Sequence, residues 1–195
     1  DIGQMKMLPG MVVINPCDYI QTKQATLAAA EYEGPVYLRF GRPVVPVFIP
    51  EDMPFEIGKG ILLQEGKDVT IVATGHLVWE SLLAAEELEK EGISCEVINI
   101  HTIKPLDEEI ILKSVEKTGK IVTAEEHNYL GGLGESVAGV LARKRPTPQE
   151  FVAVNDTFGE SGTPAELMHK YEIDAEAVVK DRKSTRLNSS HSDRS

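Results

Sequence analysis

Apolar residues come in short runs cut by glycine, proline and asparagine, and the runs alternate between strand-like and helix-like spacing. Met11-Val12-Val13-Ile14 is continuously apolar and stops at Asn15-Pro16, which predicts a buried strand. Asp18 stands where a helix cap is needed, and the alanine-rich stretch from Tyr19 to Tyr32 reads as a helix stopped by Gly34-Pro35. Val36 to Phe40 is β-branched and aromatic, hence a second strand. Strand, helix, strand is one parallel crossover, too little to bury both faces of a sheet. Cover is therefore expected from a segment ahead of Asp1 or from another chain.

Pro43, Pro46, Pro50 and Pro54 then remove amide donors and stiffen the chain, the mark of an interdomain linker. Ile61-Leu62-Leu63 follows as a short strand bounded by glycines. Beyond Gly66 the alternation becomes regular. Val69 to Ala73 is a continuous apolar strand. The next helix sets Val78, Leu82, Ala85 and Leu88 on one face, with Glu80, Glu87 and Lys90 off it, and closes at Gly92. Cys95 to Ile100, Lys120 to Ala124 and Phe151 to Val154 read as strands. Pro105-Leu106-Asp107 opens a helix to Lys117, and Leu133 to Arg143, Ala165 to Tyr171 and Ala175 to Asp181 read as helices. This alternation predicts an α/β fold with a mostly parallel sheet flanked by helices on both faces. The predicted divisions are 1–43, a Pro-rich linker and short strand over 44–66, the regular unit over 67–182, and a polar tail over 183–195. The tail has one aliphatic residue, Leu187, so it is expected to be disordered and is possibly foreign to the native protein.

Composition narrows the function. The chain of 195 residues is 42 % hydrophobic and 26 % charged, an ordinary globular balance. No apolar run reaches the roughly 18 residues of a membrane span. A formal net charge of −11 argues against nucleic acid as a partner, and a bound anion would need a focused positive group. Cys17 and Cys95 form neither a disulfide framework nor a zinc-type pair, and they suit a reduced, cytoplasmic setting.

Ligands of an open parallel sheet bind beyond the carboxyl ends of its strands. Four loops there (74–76, 99–102, 125–134 and 155–162) gather His76, His101, His127, Glu125, Glu126 and Asp156 at one edge. These side chains can form an acid–base or metal cluster, or line a subunit contact. Gly131-Gly132-Leu133-Gly134 before a helix can cradle a phosphate, although it fits neither glycine-rich nucleotide motif, or it can be a tight turn. Arg42 stands where the second strand runs out, after Gly41, and a guanidinium there suits phosphate or carboxylate; the alternative is a surface salt bridge. Arg39 precedes it on the strand. Lys6, in what reads as a loop before the first strand, can reach the same edge.

Read in order, Asp1-Ile2-Gly3, Leu8-Pro9-Gly10-Met11, Asn15-Pro16-Cys17-Asp18 and Gly34 to Arg39, followed by Val72-Ala73-Thr74-Gly75, Thr102 to Asp107, Glu125-Glu126-His127, Gly131 to Gly134 and Phe158 to Gly162, resemble the transketolase family of thiamine-diphosphate enzymes. The resemblance covers nearly all of Asp1 to Asp181. It implies that 1–43 is the end of a pyrimidine-binding domain and 67–182 the transketolase C-terminal domain. It also implies two-carbon ketol transfer between sugar phosphates, as in the pentose phosphate pathway, with thiamine diphosphate and Mg2+ in the intact enzyme and neither bound by this section alone. By position, Arg42 matches an arginine that contacts the sugar phosphate, and Lys6 lies where relatives carry another. Arg39 and His127 are minor candidates. The resemblance assigns no catalytic, cofactor or metal residue to this chain. The implied partner is a thiamine-diphosphate-binding N-terminal section or separate chain, in a homodimer or heterotetramer. Deoxyxylulose-phosphate synthase, a 2-oxoacid dehydrogenase beta subunit and a non-catalytic assembly module are the alternatives; Arg39-Phe40-Gly41-Arg42 suits a phosphorylated substrate better than a 2-oxoacid.

Overall fold

The computed structural model describes residues 1–41 and 43–180. Arg42 and residues 181–195, with the predicted polar tail, lie outside the described residues. The first part of the chain runs α1 (Ile2–Lys6), β1 (Val12–Ile14), α2 (Tyr19–Glu31) and β2 (Val36–Leu38). The second runs β3 (Ile61–Gln64), β4 (Val69–Ala73), α3 (Leu77–Lys90), β5 (Cys95–Asn99), β6 (Thr102–Lys104), α4 (Glu108–Thr118), β7 (Ile121–Asn128), α5 (Leu133–Lys144), β8 (Gln149–Val154) and α6 (Pro164–Lys170). Residues 175–180 are helical.

The larger sheet has the order β3-β5-β4-β7-β8, parallel throughout except for β3, which pairs antiparallel with β5. Because β4 is central and buried on both faces, its run Val69 to Ala73 is wholly apolar apart from Thr70. Leu77, Ala84 and Leu88 of α3 cover one face together with Ala177 and Val178. Ile111 and Val115 of α4, with Leu133, Val137 and Leu141 of α5, cover the other. The fold is α/β with helices on both faces. Glu80, placed off the buried face by periodicity, is half-buried and accepts the Ala175 amide at 3.0 Å.

The smaller sheet, β2-β1-β6, corrects the expectation about cover. Strands β1 and β2 are parallel, with Val12 opposite Val36 and Ile14 opposite Leu38. The third strand comes from within the larger unit of the same chain, as β6 pairs antiparallel with β1. Ile2 of α1 covers Val13 and Ile103 on one face, while Ala25 of α2, Phe55 and Ile57 cover Val12 and Ile14 on the other. The proline-rich stretch is not free of the fold either. Asp18 caps α2 by accepting Gln21 N at 2.9 Å, and its second oxygen accepts Phe48 N at 3.0 Å and Ile49 N at 2.8 Å. One carboxylate therefore sets a helix start and pins the connecting segment.

Candidate functional site

Strand β7 decides how the carboxyl edge is organised. Predicted to end at Ala124, it runs on to Asn128, so Glu125, Glu126 and His127 lie in a strand rather than in a loop. Alternation then sends Glu125 and His127 toward α5 and Glu126 toward α3.

On the α5 side Glu125 is 1 % exposed and accepts Leu133 N at 2.7 Å and Gly134 N at 2.8 Å. The amides that a phosphate would use at this helix start are taken by an internal carboxylate. A Cβ on Gly132 would overlap that carboxylate, and one on Gly134 would overlap Phe151. The glycine turn is thus a close-packing device. Burial pushes the Glu125 carboxyl up to about 7, against the two amides and Lys6. Lys6 closes the knot: its Nζ donates to Gly131 O at 2.8 Å, Gly132 O at 2.7 Å and Ser136 Oγ. Burial lowers the Lys6 pKa. Lys6 belongs to helix α1 and not to a loop. That helix has its C-terminal carbonyls capped by Lys104 Nζ, which donates to Lys6 O at 2.9 Å and Leu8 O at 2.6 Å.

On the α3 side Glu126 Oε2 lies 3.0 Å from His76 Nδ1. Burial pushes this carboxyl up, but the hydrogen bond and charge of His76, with Arg39, outweigh it and hold Glu126 below its ordinary value. His76 stands just ahead of α3, and its ring rests on Gly41, where any Cβ would overlap it. Around this contact lies a cavity of about 240 Å³ beyond the carboxyl ends of β1 and β2, lined by Cys17, Asp18, Phe40, Gly41, Pro43 and His76 among others.

The other predicted residues separate. Arg39 binds the Asp1 carboxylate at 3.0 Å and donates to Glu126 O at 3.0 Å, tying β2 to β7. His127 donates Nδ1–H to Asn128 O at 2.7 Å, lies 3.7 Å from the Asp1 carboxylate, and is lowered in pKa by burial. His101 is fully buried between β5 and β6, stacked on Phe55 at 4.2 Å, and burial lowers it to about 4. Asp156 accepts from Asn128 Nδ2 at 2.9 Å. Among the described residues no three His, Cys, Asp or Glu side chains gather as a metal site, and no helix is long and apolar enough to cross a membrane. Both cysteines are free and buried.

The profile of "Transketolase, C-terminal domain" matches residues 58–178, more than half of the chain. The chain belongs to this family. It is 45 % identical over 181 residues to a 6-deoxy-6-sulfo-D-fructose transketolase subunit of Clostridium sp. (strain MSTE9), covering 92 % of this chain and 56 % of the relative. It is 45 % identical over 183 residues to a putative transketolase C-terminal section of Methanocaldococcus jannaschii, covering 92 % and 57 %. A solved split-gene transketolase, an inactive beta4 tetramer, superposes with a TM-score of 0.92 at 47 % identity, over 94 % of this chain and 60 % of that one. The chain thus spans a little over half the length of the relatives it matches.

Within this transketolase section, sequence reasoning grouped the right side chains at one edge but could not sort them between faces. It also missed the contact of Gly3 with Gly131, where a Cβ on Gly131 would come within 2.9 Å of Gly3 Cα. The signal was present in the glycine of Asp1-Ile2-Gly3, which the resemblance quoted without giving it a role.

Proposed function

We propose that this chain is the carboxyl-terminal section of a transketolase that moves a two-carbon ketol unit between sugar phosphates, in the cytoplasm, with thiamine diphosphate and magnesium held by a partner chain or an amino-terminal section. The observation that carries the proposal is the match of nearly the whole chain to subunits and sections of split transketolases. Residues 1–43 are read as the end of the pyrimidine-binding domain, 44–66 as the connection and 67–182 as the C-terminal domain. The described residues offer no donor set for a metal, so the magnesium diphosphate falls to the partner in this reading. The protein's task in such chemistry is to bind, orient and set charge around the reacting groups. Arg42 is read as the substrate-phosphate contact, with Arg39 holding its strand and Lys6 anchoring the glycine turn from the same edge. Without its partner the chain is expected to be inactive, as the name of the beta4 tetramer states for that protein.

The test mixes the chain with a thiamine-diphosphate-binding partner and follows ketol transfer. Activity in the mixture and in neither chain alone is expected; no association at micromolar concentration would leave a non-catalytic assembly module. In the mixture, Arg42→Ala should raise KM for phosphorylated acceptors by a factor equivalent to about 2–3 kcal/mol and leave unphosphorylated ones nearly unchanged. Equal losses for both would remove the phosphate role. The Clostridium relative favours a second substrate reading, a sulfonate in place of the phosphate, and a sulfo-sugar donor belongs in the same assay.

A further inference from the structure

We propose that His76 is a specificity-determining residue that presents its Nε2 to the terminal tetrahedral oxyanion of the substrate, phosphate or sulfonate. The proposal rests on the reading of Arg42 as the oxyanion contact and adds a second group from the other unit of the chain. Glu126 binds Nδ1 at 3.0 Å, which fixes the ring and leaves Nε2 without a hydrogen bond among the described residues. The Cε1–Nε2 edge lies against Gly41, where a Cβ would overlap both atoms, so it stands beside the turn that leads directly into residue 42. Consecutive Cα atoms are about 3.8 Å apart, which keeps the Arg42 backbone within reach of the same edge. The ring also borders the cavity beyond β1 and β2 and two more of about 430 and 300 Å³, so small anions have a route to it.

The chemistry follows from the tautomer. With Nδ1–H donated to Glu126, a neutral ring offers Nε2 only as an acceptor, which an oxyanion does not want. Donation to an oxyanion needs the imidazolium, so binding takes up one proton at His76. The charged groups around the ring are Glu126 from β7, Glu80 from α3 and Asp174 ahead of residues 175–180, with Arg39 of β2 beyond Glu126. Asp18 and Glu160 line the neighbouring cavities. The nearest group, Glu126, is anionic and stabilises the imidazolium, while the oxyanion supplies the opposite charge on the far side.

The experiment follows the histidine ring nitrogens of the full chain by NMR while inorganic phosphate, and separately methanesulfonate, is added. The His76 Nε2 signal should move toward the imidazolium position with both anions, at affinities in the roughly millimolar range. His76→Gln should weaken phosphate about tenfold, and Arg42→Ala by at least as much. An unmoved His76 signal up to roughly 100 mM of either anion overturns the proposal, and that measurement needs no variant. Unchanged affinity in His76→Gln with a loss in Arg42→Ala also overturns it, while sparing the reading of Arg42. A loss in His76→Gln with none in Arg42→Ala keeps His76 and removes Arg42. Movement with methanesulfonate alone assigns the site to the sulfonate source, and movement with phosphate alone to the phosphate.

Discussion

Glu125 and Glu126 are adjacent in the sequence and belong to opposite regions of the molecule. Glu125 faces α5, almost without solvent, and its oxygens accept two helix amides. Glu126 faces α3, pairs with His76 and borders a cavity. The first carboxyl is pushed up by burial, and the second is held down by His76 and Arg39. The α5 side is closed by Gly132, Gly134 and Lys6 and has no room for a ligand; the α3 side has space and a ring nitrogen to spare. The lesson is that a cluster of acids and histidines at a sheet edge is two half-clusters, and only the one with space around it can serve a substrate.

The largest effect expected from breaking this contrast is Gly132→Ala. Overpacking and the displaced charge-assisted hydrogen bonds together should cost on the order of 4 kcal/mol in a urea titration. A loss below about 1 kcal/mol would show that the α5 side can relax, and the contrast in packing would fall.

Glu125→Gln tests the electrostatic half. The folded chain holds its Glu125 proton up to about pH 7, while the unfolded chain releases it near 4.5, so between those values the folded state binds more protons. Stability at this group is therefore full below pH 4.5 and is lost as pH rises to about 7. A glutamine keeps the neutral form throughout. Relative to wild type, the variant should gain about 3 kcal/mol between those limits, read from denaturation at each pH. His101 tilts the other way: lowered by burial to about 4, it stays neutral when folded, and its contribution is lost as pH falls from 6.5. The wild type should therefore be flatter with pH than either group alone implies. A variant that tracks wild type at every pH would refute the buried-acid assignment.

Glu126→Gln should have the smallest effect on stability, under about 1 kcal/mol, because its ion pair is partly solvated. A cost similar to that of Gly132→Ala would place both faces of β7 in one closed structural core and end the distinction.

Much of this architecture was legible in the chain. Every long element followed from apolar runs, from Asp18 and Asp107 as caps and from Gly119 as a stop, which the helices use as read. The two short elements were not legible. Helix α1 is five residues with a glycine inside, below the length at which periodicity speaks, and it stands because Lys6 and Lys104 tie it to distant carbonyls. Strand β6 is three residues whose partner β1 lies some ninety positions earlier.

The sequence by itself determined the α/β alternation, the mostly parallel larger sheet, the transketolase resemblance and the set of side chains at the carboxyl edge, because runs, caps and ordered motifs are local. Only the tertiary structure decided that β6 completes the smaller sheet, that Lys6 and Glu125 seal the glycine turn, and that His76 meets Glu126 over Gly41. Those outcomes depend on which face of β7 each residue takes and on contacts between residues more than thirty positions apart. Such contacts form only when two separately patterned units pack, and no local pattern records them.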